Sequence, residues 1–477
     1  MRSRIRLGER APIKAMAEPA GGSRKARKSF PLRSQKGIIN IFSGIKQGAA
    51  ALKSEKRKVM KNFPVTELRC SLCGRSFEPV PFIYTCPDCG NDGILEVLYD
   101  YKRASELLKP EKLRADKRPG LAKWTPVLPI KTPDSLPPLR VGQTPFYSVK
   151  RLGEAIGYEN LFVKDDGQNP TGSLKDRASA VCAASAVEMG LDLITAASTG
   201  NAASSLSGMC ASMGLRTIIF VPERAPKAKV AQLLMFGATV LSVRGTYDDA
   251  FDLSLKATEL FGWYNRNTGF NPYLLEGKKT AALEIWENCG YKAPDYVAVS
   301  VGDGCIIGGL GKGFKDLLRM GLIEKMPKLI GVQARGSSVL AKAFANGDRV
   351  IAEPDADTYA DSISVGLPRA ASLALRGVHE SEGRFIVVED EEIQKAQAVL
   401  AAKAGVFAEP AGATPIAGLI KARKEGLIPA QAQVVALVTG NGLKDVDGAL
   451  KALRTQAISI DRSPDTLQQT LKEQLSL

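Results

Sequence analysis

The run Tyr296-Val297-Ala298-Val299-Ser300-Val301 leads into Gly302-Asp303-Gly304-Cys305-Ile306-Ile307-Gly308-Gly309 and then into a helical pattern over 308–320. A short β-branched run closed by glycine reads as a strand, and the glycines permit close backbone approach to a ligand. Amides in such a loop can converge on an anion at the N-terminus of the following helix. The loop lacks GxxxxGK[ST] spacing, which argues against a nucleotide P-loop.

Outward from this unit the same alternation continues from about Gly142. Strand-like runs occur at 161–164, 193–197, 217–221, 239–243, 329–332, 385–388 and 434–438. Helical periodicity lies between them at 177–189, 201–213, 227–236, 248–261, 390–404 and 412–425. Strands alternating with helices predict an α/β fold with open, mainly parallel sheets, here two such units. In open parallel sheets ligands bind beyond the carboxyl ends of the strands. Two more strands end in loops of similar character, Ser198-Thr199-Gly200-Asn201-Ala202 and Thr439-Gly440-Asn441-Gly442. Hydroxyls, amides and glycines together can grip a small polar ligand.

Between the first two strands lies Asn169-Pro170-Thr171-Gly172-Ser173-Leu174-Lys175-Asp176-Arg177. Pro and Gly set a sharp reversal, while Ser173 and Asp176 suit a helix start. Lys175 is therefore expected on a rigid junction. A Schiff-base lysine needs that placement, because its amine must meet an aldehyde carbon in fixed geometry and shed its proton. The plain alternative is a solvated lysine in a first helical turn.

The chain has 477 residues, enough for two or three domains, and its net charge is +15. Residues 1–62 hold 17 Lys+Arg against 3 Asp+Glu, while the other 415 residues hold 48 against 47. The basic character therefore belongs to the N-terminal stretch and the rest is neutral. That stretch reads as a transit peptide, a disordered basic arm or an overlong reading frame ahead of Met60. No apolar run is long enough to span a bilayer, so no membrane partner is expected.

Cys70-Ser71-Leu72-Cys73-Gly74 and Cys86-Pro87-Asp88-Cys89-Gly90 are paired CxxCG knuckles. Each offers two thiolates from one tight turn, and four soft ligands suit tetrahedral zinc better than iron. A closed four-cysteine site has no open coordination position, so its expected role is structural. Metal-free and disulfide forms are the alternatives. Zinc ribbons also bind nucleic acids, but residues 63–100 lack a basic, aromatic-interleaved stripe, so no nucleic-acid partner is expected. Cys182, Cys210, Cys289 and Cys305 read as buried small hydrophobes in a reducing, cytoplasmic setting. Organelle import is the alternative if residues 1–62 are a transit peptide. His379, the only histidine, reads as a surface residue, which argues against a His-based triad. Asp165 and Asp166 read as turn or capping residues. Lys278 and Lys279 read as helix-start charges unless they face the cleft, where they would grip a phosphate.

The segments NPTGSLKDRAS, AASTGNAASS, NPYLLEGKKTAALEIWE, VSVGDGCIIGGLGKGFKD, EPAGAT and LVTGNGLKD resemble, in order, the threonine synthases among the fold type II pyridoxal-phosphate (PLP) enzymes. The similarity runs from about Gly142 to Leu453, and some members carry an N-terminal cysteine-knuckle module. The resemblance implies two α/β subdomains of the tryptophan synthase β-like kind with PLP between them, and a homodimer. It implies that Lys175 carries PLP and that Asn201 bonds the cofactor's phenolic oxygen. Ser198, Thr199 and Gly200 would receive the carboxylate of a small amino-acid substrate. Gly302, Asp303, Gly304, Cys305 and Ile306 would cradle the cofactor phosphate, with Thr439 at the ring nitrogen. The implied reaction turns O-phosphohomoserine and water into threonine and phosphate. The alternatives are a threonine or serine dehydratase, or a nucleic-acid-binding zinc protein with an inactive PLP-like body.

The chain departs from the family pattern in one loop and at two single positions. Many threonine synthases have GNAGN where this chain has Gly302-Asp303-Gly304-Cys305-Ile306, Leu174 replaces a usual Phe, and Lys278 replaces a frequent Gln. A carboxylate at Asp303 beside phosphates is costly unless it turns away or finds a cation.

The expected layout is a basic, disordered extension at 1–62, the four-cysteine module at 63–100 and a linker at 101–141. A catalytic body of two subdomains at 142–455 and a tail at 456–477 follow.

Overall fold

A computed structural model describes residues 63–453, 457–460, 462 and 464–475. The expectation for residues 1–62 lies outside the described residues, as does the body–tail boundary at 454–456.

Val65–Cys70 (β1), Ser76–Phe77 (β2), Thr85–Cys86 (β3) and Gly90–Tyr99 (β4) form an antiparallel sheet in the order β2-β1-β4-β3. Tyr101–Leu107 (α1) and Pro110–Ala115 (α2) follow. Asp100 accepts the Arg103 amide at 2.9 Å to start α1, and Pro110 suits the first position of α2.

Residues 101–141 correct the linker expectation. After the two helices come tight turns at Gly120–Val127 and Pro133–Ser135. Trp124, Val127, Leu128 and Ile130 are fully buried in the same core as Leu68 and Val97 of the first sheet. Their apolar residues follow no helix or strand period, and prolines interrupt them, so the segment looks like a spacer in the sequence.

The large sheet holds Phe146–Ser148 (β5), Asn160–Asp165 (β6), Tyr296–Ser300 (β11), Lys328–Ala334 (β12), Arg384–Val388 (β13) and Gln433–Val438 (β14). Its order is β13-β12-β11-β14-β6-β5, parallel except for β5. The smaller sheet holds Leu193–Ala197 (β7), Arg216–Pro222 (β8), Thr239–Val243 (β9) and Tyr264–Asn265 (β10), all parallel, in the order β10-β7-β8-β9. The helices between them are Lys150–Ile156 (α3), Lys175–Glu188 (α4), Asn201–Met213 (α5), Lys227–Met235 (α6), Tyr247–Phe261 (α7) and Tyr273–Asn288 (α8). Cys305–Arg319 (α9), Val339–Ala345 (α10), Ala371–Glu380 (α11), Asp390–Ala404 (α12), Pro410–Lys424 (α13), Val446–Ala452 (α14) and Pro464–Leu475 (α15) complete the described helices.

The chain runs outward from β11 to β12 and β13, whereas β14 and β6 lie on the other side of β11. Loops leaving β11 and β14 therefore diverge, which opens a crevice at a switch point. α8 is buried from Tyr273 to Trp286 and fills the space between α4 and α9. Glycine makes that possible: a Cβ on Gly277 would collide with the Arg177 carbonyl of α4. Gly277→Ala is expected to destabilise the protein by about 1–3 kcal/mol through overpacking. Urea unfolding monitored by tryptophan fluorescence checks this, since Trp124 and Trp286 are both fully buried. An unchanged midpoint would show that the two helices can move apart.

Candidate active site

The turn before α4 is pinned at several points. The Thr171 amide and hydroxyl donate to Asp176 at 2.7 and 2.5 Å, and Gly172 takes a φ of +84°, which favours glycine. The Leu174 amide donates to the Thr439 carbonyl and the Asn441 amide to the Gly172 carbonyl, both at 2.9 Å. A bridge between Ser173 and Gly440 completes the junction. β14 runs in register with β6, Val438 beside Asp165, so the loops after both strands emerge together. Two residues on, Arg177 donates to Asp166 at 2.6 Å and to Glu284 of α8 at 2.7 Å, all three buried. Lys164 also pairs with Glu284 at 2.7 Å. Asp165 accepts the Gly167 amide at 3.0 Å as a turn residue, whereas Asp166 belongs to the buried charge cluster.

Lys175 opens onto a cavity of about 640 Å³. Ser198, Thr199, Gly200, Asn201, Gly302, Asp303, Gly304, Cys305, Ile306 and Thr439 line the same cavity, so every cavity-directed residue singled out in the sequence is gathered there. Burial pushes the Lys175 amine below its ordinary range, opposed by nearby Glu409 and assisted by Arg266. A neutral amine is the form that attacks a carbonyl carbon.

Two helices begin at this cavity. α9 starts after Gly304 at φ +84°, and α5 starts after Gly200, neither capped by a side chain. Their first-turn amides leave partial positive charge for anions. Arg266 and Ser300 also line the cavity, and the Arg266 Nη2 and Ser300 Oγ are buried without a protein partner. Lys278 lines it as well, pushed down to about 8 by burial. An unpartnered guanidinium nitrogen and hydroxyl, an open helix start and a buried amine fit a phosphorylated aldehyde such as PLP.

Several expectations change here. Lys278 and Lys279 are not helix-start charges at the surface. They lie in the second turn of α8, 1% and 0% exposed, with Lys279 paired to Glu276 and, at 2.8 Å, to Asp316. Burial raises the pKa of the Asp303 carboxyl, opposed by the Arg369 amide, which it accepts at 3.2 Å, and by Lys278 and Lys175. It has thus turned toward a backbone donor, with Lys278 and Arg369 near enough to offset part of the cost of burial. The Asn201 amide donates to both oxygens of Glu409 at 3.0 Å. Burial raises Glu409, while Asn201, Lys175 and Lys444 counter that. Glu409, Arg266 and Tyr247 were not singled out as site residues. Only the EPAGAT motif signalled Glu409, and long-range folding brings the other two to the cavity. His379 is exposed, 2.9 Å from Asp348 and stacked on Phe344.

The thiols of Cys70, Cys73, Cys86 and Cys89 all lie within 4.8 Å of one another. The Leu72 amide donates to the Cys70 sulfur at 3.4 Å, and Gly74 and Gly90 take positive φ after each pair. This donor set fits a tetrahedral soft metal. All eight cysteines are free.

A family model described as "Pyridoxal-phosphate dependent enzyme" matches residues 138–440. A threonine synthase of Methanocaldococcus jannaschii is 38% identical over 407 residues, covering 85% of this chain and 99% of that protein. One from Mycobacterium tuberculosis is 36% identical over 339 residues, covering 70% and 88%. Among solved structures, processed threonine deaminase isoform 2 of Solanum lycopersicum superposes with a TM-score of 0.56 at 20% identity, covering 66% of this chain and 88% of that one. Maize serine racemase gives 0.56 at 21%, covering 70% and 92%. These two likenesses show a shared fold.

Proposed function

The chain belongs to the pyridoxal-phosphate dependent enzymes and, among them, to the threonine synthases; from that premise we propose that it converts O-phosphohomoserine and water into threonine and phosphate. The observation that carries this reading is Lys175 at the meeting of three strand-end loops, in a cavity that also holds two buried cations, Arg266 and Lys278.

When bound at Lys175, PLP supplies an electron sink for the substrate's amino group and α-carbon. Lys175, freed by the substrate amine, would move protons at Cα and Cβ. The first-turn amides of α9, with Ser300, would hold the cofactor phosphate, and Thr439 would offer a neutral hydroxyl to the ring nitrogen. Asn201, held by Glu409, would face the phenolic oxygen. Ser198, Thr199 and the α5 start take the substrate carboxylate. Phosphate would depart from Cγ with the bonding electron pair, and the proton lost from Cβ would be replaced by one delivered to Cγ to make the methyl group. The hydroxyl of water would add at Cβ and a proton would return to Cα, with water's second proton balancing the departed phosphate.

Lys278 and Arg266 would neutralise the departing phosphate, with Asp303 limiting the surplus positive charge. Lys278 loses its charge as pH rises through about 8. The KM for O-phosphohomoserine is therefore expected to climb above that pH in the wild type, and Lys278→Gln should raise KM at pH 7 and flatten the climb. A Lys278→Gln profile that still climbs at the same pH would remove Lys278 from this role.

Turnover in H₂¹⁸O tests the reaction itself. The label should enter the threonine hydroxyl and not the phosphate; labelled phosphate with homoserine would mean plain ester hydrolysis.

Structural zinc at the four cysteines belongs to the same proposal, supported by their geometry. So does a cytoplasmic location, supported by the free thiols. The homodimer expected of the family is checked by light scattering against the chain mass of 51.0 kDa. No helix among the described residues is long and apolar enough to cross a membrane.

A further inference from the structure

The cysteine knuckles touch both flanks of the cofactor cavity. Ser71, between Cys70 and Cys73, places its Oγ 3.1 Å from that of Ser372 in the first turn of α11. Just before α11, the Ala370 amide donates to the Asp303 carbonyl at 2.9 Å, and the Arg369 amide donates to the Asp303 carboxylate. The Ser71 amide in turn donates to the Ile94 carbonyl at 2.8 Å. The Ile94 side chain is buried in a small cluster with Cys305, Leu275, Ala370 and Leu373. Cys305 is itself part of the phosphate loop.

On the other flank, Tyr84 lies two residues before Cys86. Its hydroxyl accepts the Asn265 amide at 3.0 Å and its ring stacks on Phe270 at 4.6 Å. The next residue is Arg266, whose Nη2 is without a protein partner in the cavity wall.

Ile94 is on the edge of the thiol cluster in the first half of β4, whereas Ser71 and Tyr84 lie in turns with little pairing of their own, since the adjoining β2 and β3 have two residues each. Short segments of that kind take their geometry from a metal when one is bound. The thiol cluster also bears directly on β4: a Cβ on Gly93 would come within 2.6 Å of the Cys86 Cβ and 2.7 Å of the Cys89 Cβ. Ile94 follows immediately. A change in the spacing of the thiols therefore reaches Cys305 through one backbone step and one packed side chain.

We propose that the four-cysteine cluster is a clamp on the cofactor pocket, in which zinc on Cys70, Cys73, Cys86 and Cys89 fixes Tyr84 and Ile94 as positioning residues for the Arg266 segment and the phosphate loop. Zinc and PLP then bind with positive coupling. The inference rests on the reading that Lys175 holds PLP.

Coupling between sites is reciprocal and commonly amounts to about 5- to 150-fold. The test uses the full chain, freed of PLP and divided into zinc-loaded and chelator-stripped samples of measured metal content. PLP is titrated into each by visible absorbance, and zinc affinity is measured with and without PLP against a chromophoric chelator. Stripping zinc should weaken PLP by at least about fivefold, and omitting PLP should weaken zinc by the same factor. Ile94→Ala and Tyr84→Phe, which spare the cysteines, should keep zinc yet weaken PLP and shrink the coupling. These variants decide the matter if the stripped chain unfolds. Unchanged PLP affinity in the stripped chain overturns the clamp, as do variants that lower only the thermal midpoint. A chain without metal whose PLP affinity ignores added zinc overturns it too. A zinc-loaded wild type that binds no PLP contradicts the Lys175 reading instead.

Discussion

Lys175→Ala is expected to lose the visible band of the lysine-bound cofactor and at least about 10⁴-fold in turnover, the upper range for removing a positioned acid–base group. The side chain is singled out by its backbone. Its turn is tied to the β14 loop by two amide–carbonyl bonds and the Ser173–Gly440 bridge, so the amine enters the cavity from a fixed point. Burial favours the uncharged amine there. Among the described residues the Lys175 side chain makes no hydrogen bond or ion pair, so its removal should leave stability nearly unchanged. Lys175→Arg is the useful control, since a guanidinium stays charged and cannot form the covalent link. Absorbance spectra, thermal midpoints and steady-state rates on all three proteins check the expectation. A persistent band in Lys175→Ala would place the covalent link elsewhere.

Arg177→Ala is expected to cost about 3–5 kcal/mol, the range for removing one partner of a buried ion pair. The guanidinium serves two carboxylates at once, Asp166 at the start of the lysine turn and Glu284 on α8, and bonds Thr280 at 3.0 Å. Removing it leaves buried Asp166 without its cation and Glu284 with Lys164 alone, and loosens the turn that carries Lys175. Arg177→Lys should recover only part of the loss, because a point charge cannot reproduce a forked pair of bonds. The sign of the pH dependence follows from Glu284, which Arg177 and Lys164 hold well below the usual carboxylate range against the cost of burial. Its contribution is complete above its unfolded value of about 4.3 and is lost as pH falls toward the folded value. The deficit of Arg177→Ala should therefore narrow as pH drops below about 4, when Glu284 can be protonated in the variant. Urea unfolding at pH 7 and at about pH 3 measures both quantities. A deficit under 1 kcal/mol, or one that widens in acid, would mean that Asp166 and Glu284 find other partners.

The catalytic body was readable because its strands and helices keep clean periods and its ligand loops lie at strand ends. β7 and α5, at 193–197 and 201–213, agree with the periodic reading residue for residue. What escaped the sequence lies where charge is buried or apolar residues have no period. α8 carries Glu276, Lys278, Lys279 and Glu284, a composition that suggests an exposed helix, yet all four are buried. Glu284 finds Arg177 of α4 and Lys164 of β6, and Lys279 finds Asp316 of α9, all far away in the chain. Glu276 pairs with Lys279 inside α8, and Lys278 lines the cavity. Residues 101–141 resemble a spacer for the opposite reason, since Trp124, Leu128 and Ile130 sit in turns that only tertiary packing makes into core. Arg266 gives no local signal, because its placement depends on β10 pairing with β7.

The most direct test of the whole account is product analysis on PLP-loaded enzyme given O-phosphohomoserine and, separately, threonine. Equal amounts of threonine and inorganic phosphate from the first, with no 2-oxobutyrate from the second, are predicted. 2-Oxobutyrate from threonine, without phosphate release from O-phosphohomoserine, would contradict it.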